Sequence, residues 1–168
     1  MMLLAEKLGD SVIVGSKSHI IHYERGGISM TGTMPWVLQN NLDGTINLDD
    51  IEFACGKVAN EHVVPITGIS LESSQNECSG RVLRMDYISK VKKIAKKAKA
   101  KLHLDGARSW NASLFLGMEM KDMLKDFDLV SVCMSKGMGC PIGSLVVGSE
   151  KDVKAARNYR KMLGGGMR

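Results

Sequence analysis

The sequence of 168 residues predicts an α/β fold built on a mainly parallel sheet, and three observations support this. Residues Leu129–Cys133 form an apolar, largely β-branched run, which is typical of a strand buried on both faces of such a sheet. Residues Lys101–Asp105 alternate between polar and apolar side chains, as a strand with period two does. The segment between these runs is long enough for a helical crossover, which would make the two strands parallel.

The amino-terminal part of the chain adds three predicted strands and one helix. Each strand is a short apolar run that ends at glycine or at polar turn residues. The helix is expected to begin after Asn47, a candidate N-cap, and to run to about Lys57. The three strands are expected at residues 11–14, 34–38 and 68–72.

The carboxyl-terminal part is predicted to hold four helices and a further strand. The first of these helices has apolar residues at helical spacing on one side and lysines on the other. Ser149, with Asp152 three residues later, is the expected cap of the last helix. The helices are expected at residues 84–100, 107–116, 120–127 and 150–162, and the strand at residues 143–147.

Lys136 is the first candidate for chemistry, because it follows the end of the apolar run at Cys133. Gly137, Gly139 and Pro141 break any regular structure after it, which indicates a turn at the end of a strand. Ligands of open α/β sheets bind in the crevice at such strand ends. Burial there would lower the pKa of the amine and free it to attack a carbonyl. The alternative is an ordinary loop lysine that points into water.

Asp105 is the second candidate, and it ends the neighbouring predicted strand just before Gly106. If both strands are parallel, Asp105 and Lys136 meet at the same edge of the sheet. Pyridoxal phosphate requires this pair of groups, because its aldehyde condenses with a lysine and its ring nitrogen pairs with an acid. His103 and Asp105 lie on one face of the strand and could instead begin a metal site, but no further ligand completes it.

Three blocks of sequence carry a resemblance to a known family. These blocks are HLDGAR at 103–108, SKGMGCPIGS at 135–144 and RKMLGGGMR at 160–168. In letters, order and spacing they resemble the low-specificity L-threonine aldolases, and the likeness extends over nearly the whole chain. The resemblance implies a three-layer sandwich with a mainly parallel sheet, which is part of the large domain of the aspartate-aminotransferase-like, pyridoxal-phosphate-binding fold.

The resemblance implies a role for five residues of the site. Lys136 would hold the cofactor as a Schiff base, and Asp105 would keep its ring nitrogen protonated. His19 matches the histidine that stacks on the pyridine ring, whereas His22 has no counterpart and is expected to be structural or exposed. Arg108 would contact the phenolic oxygen of the cofactor or the carboxylate of the substrate. The remaining residue is Arg168, which would reach a phosphate, in a neighbouring subunit.

Gln75 marks a departure from the family pattern. Family members usually have Glu-Asn-Thr-His-Asn after this strand, and Gln75 occupies the place of the histidine that contacts the β-hydroxyl of the substrate. Glutamine can orient a hydroxyl group, but it cannot accept a proton as histidine does. If that histidine assists proton removal, its replacement would lower the rate on the order of 10²-fold or more.

The implied reaction is the cleavage of L-threonine or L-allo-threonine to glycine and acetaldehyde. Two alternatives remain open: a non-catalytic remnant or interaction protein on the same fold, and a related β-eliminating lyase. The resemblance also implies a homodimer or homotetramer. Residues 1–168 are expected to form a single, incomplete cofactor domain, with the amino-terminal phosphate loop and the small carboxyl-terminal domain absent from this sequence.

Charge, cysteine content and hydropathy indicate which partners, metal sites and locations are expected. The net charge of +5 comes with only 5% aromatic residues and no RNA-binding motif, so the lysine-rich helix is interpreted as a solvated surface and nucleic-acid binding is not expected. The four cysteines form no CxxC pair, which indicates a reduced protein without a cysteine zinc site. No run is long and apolar enough for a membrane span, and a cytoplasmic protein is expected.

Overall fold

The computed structural model describes residues 1–166 and contains one six-stranded sheet. The first five strands are parallel, and the sixth is antiparallel to the fifth. In space the strands follow the order β2-β1-β3-β4-β5-β6. Their bounds are Ser11–Gly15 (β1), Met34–Leu38 (β2), Ile66–Glu72 (β3), Lys101–Gly106 (β4), Leu129–Cys133 (β5) and Ser144–Gly148 (β6).

The described residues form seven α-helices, six of them between strands and one after the last strand, and local signals set several of their ends. The side chains of Asn47 and Ser149 accept hydrogen bonds from the backbone two and three residues later, which confirms both predicted caps. Gly117 ends its helix in the left-handed conformation, with a φ of 63°. The bounds are His19–His22 (α1), Gly27–Met30 (α2), Leu48–Cys55 (α3), Met85–Ala98 (α4), Ser109–Leu116 (α5), Met120–Leu124 (α6) and Glu150–Met162 (α7).

One face of the sheet packs against the main hydrophobic core. Because side chains alternate along a strand, every second residue of the central strands points to this face. Helices α3 and α4 cover it with buried residues such as Ile51 and Val91, while the lysines of α4 lie on the opposite side of that helix. The strand residues in this core include Ile13, Ile69, Leu71, Leu102, Leu104, Val130 and Val132.

The other face of the sheet is more polar and carries a thinner layer. A small apolar cluster joins residues 1–4 and α1 to β1 and Leu129. Helix α7 reaches the same face through an ion pair in which the Lys101 amine lies 2.6 Å from the Asp152 carboxylate. With helices on both faces of a mainly parallel sheet, the predicted three-layer α/β architecture is confirmed.

The structure differs from the sequence prediction in the burial of one strand, the direction of another and the length of several helices. The strand β5 is not buried on both faces, because Ser131 and Cys133 face an open cavity on the polar side and are only partly buried. The strand β6 is antiparallel, which the sequence did not indicate, because a short connection from Cys133 to Ser144 reverses the chain direction. The helices at 84–100, 107–116 and 120–127 are each two or three residues shorter than predicted.

A search of the described residues finds no helix that combines the length and the apolar character needed to cross a bilayer.

Candidate functional site

A cavity of about 150 Å³ lies at the carboxyl ends of β3, β4 and β5. It brings together four of the predicted site residues: His19, Asp105, Arg108 and Lys136. They lie together because the strands are parallel, so that their carboxyl ends reach one edge of the sheet. Each of these side chains comes at or shortly after such a strand end. The remaining lining residues are Glu24, Glu72, Ser74, Ala107, Ser131, Val132, Cys133 and Ser144.

The floor of this cavity is a row of polar residues that runs across three strands. Glu72 is opposite Asp105 in the register of β3 and β4, and Asp105 is opposite Ser131 in the register of β4 and β5. All three belong to the face of the sheet that points away from the main core. The polar residues of β4 therefore line cavities rather than an open solvent-exposed surface.

Lys136 lies on the rim of the cavity and is exposed. The burial that was predicted for its amine is absent, because the loop that carries it lies beyond the sheet and none of the described residues covers it. Hydrogen bonds within the loop fix its shape, as the Gly139 amide donates to the Lys136 carbonyl at 2.9 Å. A Cβ on Gly137 would lie 2.6 Å from Oδ1 of Asn111, so a larger residue there would require the Asn111 side chain to move.

Asp105 is partly buried and sits at the centre of the floor. Its Oδ1 accepts a hydrogen bond from the Ala107 amide at 3.1 Å, which holds the carboxylate in the turn that opens at Gly106. Arg108 follows in this turn, and no carboxylate of the described chain lies within 4 Å of its guanidinium. An acid and a free guanidinium therefore face the same space.

His19 forms one wall of the cavity and is held at two points. Its Nδ1 lies 2.9 Å from Oε1 of Glu24, and its backbone amide donates to Oε2 of Glu72 at 2.8 Å. Its ring centroid is 5.0 Å from that of Tyr23. His22 does not enter the cavity; it is exposed and hydrogen-bonds the Ser16 carbonyl, as expected for a structural residue.

Glu72 is a member of the site that sequence reasoning did not identify. Its side chain is buried, and desolvation raises the pKa of the carboxyl above its usual value, although two backbone donors partly oppose this. The available signal was the position of an acidic residue at the end of an otherwise apolar strand. The sequence prediction included Glu72 as the last residue of the strand at 68–72 but assigned it no role in the site.

Gln75 is buried outside the cavity. Its Nε2 donates to the Lys17 carbonyl at 2.6 Å, and its Oε1 accepts from the Cys78 amide at 2.6 Å, capping a short 3₁₀ turn at Asn76–Cys78. Both polar groups of the side chain are therefore occupied. The substrate contact predicted for Gln75 stays a prediction, and in this segment it is Ser74 that lines the cavity.

A second cavity of about 250 Å³ adjoins the first on the polar face and shares Glu24, Glu72, Asp105 and Ser131 with it. His103 lines this second cavity, and its Nδ1 lies 2.8 Å from Oγ of Ser70. Burial of the ring lowers the pKa of His103 to about 3. Within residues 1–166 no three His, Cys, Asp or Glu side chains are grouped so as to hold a metal ion, so the metal alternative gains no support.

A larger cleft of about 920 Å³ lies beside the amino-terminal end of α4, but it includes none of the predicted site residues, so size alone does not identify the site. Cys133 lines the first cavity, and a hydrogen bond between its thiol and the Ser135 hydroxyl lowers the pKa of the thiol. Arg168, predicted to reach a phosphate, lies outside the described residues.

Comparison with known proteins gives consistent results for sequence and structure. A family model described as beta-eliminating lyase matches residues 1–168. The chain is 45% identical over 170 residues to a probable low-specificity L-threonine aldolase of Arabidopsis thaliana, covering 100% of this chain and 48% of that protein. It is 36% identical over 161 residues to the low specificity L-threonine aldolase of Escherichia coli K12, covering 95% and 47%.

The fold is similar to that of a solved threonine aldolase from Leishmania major, with a TM-score of 0.82 and 24% identity over 97% of this chain and 47% of that one. The fold class expected from the resemblance is thereby confirmed. The chain spans about half the length of the curated relatives it matches.

Proposed function

Because the chain belongs to the beta-eliminating lyase family, we propose that it acts as a pyridoxal-phosphate-dependent aldehyde-lyase that cleaves L-threonine or L-allo-threonine to glycine and acetaldehyde. The observation that carries this proposal is the shared cavity of Lys136, Asp105, His19 and Arg108. An amine, a carboxylate, an imidazole and a guanidinium at one strand-end crevice are the groups that this chemistry needs. The names of the relatives support the substrate class.

The residues of the cavity fit pyridoxal phosphate as the cofactor. When bound, this cofactor supplies an aldehyde that an amine can attack and a ring that withdraws electrons from the substrate carbon. Lys136 would hold the aldehyde end, since its amine stands at the exposed rim where the cofactor and substrate enter. Asp105 would hold a proton at the ring nitrogen by pairing its carboxylate with the N–H group.

The other residues of the cavity would bind and orient. His19 would lie against one face of the ring, with its imidazole fixed through Nδ1 by Glu24. Arg108 would bind an anionic oxygen of the cofactor or the carboxylate of the amino acid, because a guanidinium suits either group. Ser74, rather than Gln75, lines the cavity in this segment, so its hydroxyl group would contact the β-hydroxyl of the substrate.

The second candidate is a non-catalytic protein on the same fold, and Gln75 favours it. An amide with both polar groups already hydrogen-bonded cannot take the proton of a substrate hydroxyl. A related β-eliminating lyase would use the same amine and carboxylate, so it differs in substrate rather than in the cofactor groups. Turnover with threonine, compared with cofactor binding alone, separates these candidates.

Location, partners and domain organisation also remain proposals. We infer a cytoplasmic protein that assembles as a homodimer or homotetramer, with residues 1–168 forming part of a cofactor domain. Nucleic-acid binding receives no support, because several lysines of α4 are engaged with acidic side chains. These ion pairs join Lys90 to Asp86, Lys92 to Asp128 and Lys97 to Glu52.

The test is to titrate the purified chain with pyridoxal phosphate, follow the visible absorbance, reduce with borohydride and map the modified lysine by mass spectrometry. The proposal expects the label on Lys136 and the release of glycine from threonine. A label elsewhere, or none, contradicts cofactor binding at this cavity. A label on Lys136 without release of glycine favours the non-catalytic candidate.

A further inference from the structure

Glu72 occupies the point where the two cavities of the polar face meet. It is the last residue of β3, it lines both cavities, and only 7% of its surface is exposed. A carboxylate in such a place requires hydrogen-bond donors to offset the cost of its burial. The identity of those donors shows what the residue does in the fold.

The two oxygens of Glu72 accept from two different segments of the chain. Oε2 accepts from the backbone amide of His19 at 2.8 Å, and Oε1 accepts from the backbone amide of Asn76 at 2.9 Å. One carboxylate thus fastens the turn after β1 to the turn after β3. Each turn supplies a wall residue of the first cavity, His19 in one case and Ser74 in the other.

This attachment is one of the contacts that hold the segment of His19 against the sheet, and it is the one made at His19 itself. Glu24 holds the imidazole through Nδ1, but Glu24 is itself exposed and belongs to the same short segment, so it cannot fix that segment relative to the sheet. Glu72 is part of a central strand and provides the rigid reference point. Hydrogen bonds from a backbone amide to a carboxylate are short and strong, which suits this task.

We propose that Glu72 is a positioning residue that anchors the backbone of His19 and so sets the position of its imidazole over the cofactor ring. This inference rests on the proposed function for its consequence, the binding of pyridoxal phosphate. The anchoring itself concerns residues of this chain and can be measured without the cofactor.

The decisive variant is Glu72→Gln, with Glu61→Gln as its matched control. Glutamine keeps the size of the side chain but has a single acceptor oxygen, so one of the two amides loses its partner. Glu61 is exposed, and its carboxylate lies 3.8 Å from Nε2 of the exposed His62. The same change at Glu61 should therefore affect neither His19 nor the binding of the cofactor. Far-ultraviolet circular dichroism checks that each variant folds.

The first measurement follows the His19 amide and imidazole resonances by NMR in the cofactor-free chain. Glu72→Gln is expected to shift them, whereas Glu61→Gln leaves them unchanged. Unchanged His19 resonances in Glu72→Gln overturn the inference, whether or not the chain binds the cofactor. If Glu72→Gln does not fold, Glu72→Asp takes its place, because the shorter side chain keeps the charge but reaches fewer donors.

The second measurement titrates both variants with pyridoxal phosphate and records the visible circular dichroism of the bound cofactor, which reports the orientation of the ring. Glu72→Gln is expected to weaken binding about tenfold or more, as the loss of one charge-assisted hydrogen bond implies, and to reduce the dichroism. Binding and dichroism equal to those of the unmodified chain overturn the inference. If the unmodified chain binds no cofactor while the His19 resonances still respond, the proposed function fails and the anchoring stands.

Discussion

Asp105 and Lys136 line the same cavity although a helix pair and a strand separate them along the chain. They meet because β4 and β5 are parallel neighbours whose carboxyl ends reach the same edge of the sheet. Their environments nevertheless differ, since Asp105 is partly buried on the floor and Lys136 is exposed on the rim.

Lys136→Ala should abolish covalent labelling by pyridoxal phosphate and borohydride while leaving stability within about 0.5 kcal/mol of the original chain, because the side chain is exposed and packs against little. Mass spectrometry and urea denaturation provide the two readouts. Lys151→Ala, another exposed lysine, serves as the control and should keep the label. Undiminished labelling of Lys136→Ala would show that another lysine reacts.

Asp105→Asn should lower threonine cleavage by about 10²-fold or more, since an amide cannot hold the ring nitrogen protonated as a carboxylate does. Steady-state release of acetaldehyde measures this loss. The exposed residue Asp50 offers the control variant Asp50→Asn, for which we expect an unchanged rate. Equal rates for both variants would remove Asp105 from the site.

Gln75→Ala should destabilise the fold by about 1–3 kcal/mol, because it leaves the Lys17 carbonyl and the Cys78 amide without their buried partner. Urea denaturation monitored by circular dichroism gives the free energy of unfolding. The exposed glutamine at position 39 makes Gln39→Ala a matched control with little expected effect. A loss of activity without a loss of stability would instead support the substrate contact.

His103 should make stability depend on pH. Burial lowers the pKa of the folded residue to about 3, so below the ordinary value of 6.5 the unfolded chain binds a proton that the folded chain excludes. The free energy of unfolding should therefore fall as the pH drops from 6.5 towards 3, by up to about 1.4 kcal/mol per pH unit from this group. In His103→Asn this decrease should be smaller.

Denaturation of His103→Asn and of the exposed control His62→Asn, at about pH 7 and at about pH 5, isolates this contribution. The control should retain the full pH dependence. Identical pH dependence in the two variants would mean that His103 takes up protons in the folded state.

Ser149→Ala should lower the free energy of unfolding by about 1 kcal/mol, because the serine hydroxyl accepts a hydrogen bond from the Asp152 amide at the start of α7. The loss should appear as a lower denaturation midpoint. Ser29→Ala, an exposed serine of α2, is expected to change the midpoint little. A midpoint for Ser149→Ala no lower than that of the control would show that the cap contributes nothing.

Local patterns predicted most of the secondary structure. The strand at 34–38 and the end of the last helix at Met162 agree with the structure to the residue, and the caps at Asn47 and Ser149 were correct. These features depend on neighbours along the chain, such as a side-chain oxygen two or three residues before a free amide. The direction of β6 was not predictable in this way, because it depends on how the loop from Cys133 folds back.

In the candidate site, too, some features follow from local sequence and others from contacts between distant segments. The sequence by itself determined that Asp105 and Lys136 stand at strand ends, and parallel pairing then brings them to one edge. Only the tertiary structure decided that Glu72 joins them, that Gln75 turns inward and that Lys136 remains exposed. The physical reason is that burial and hydrogen-bond partners depend on segments far apart in sequence, as the bond from the His19 amide to the Glu72 carboxylate illustrates.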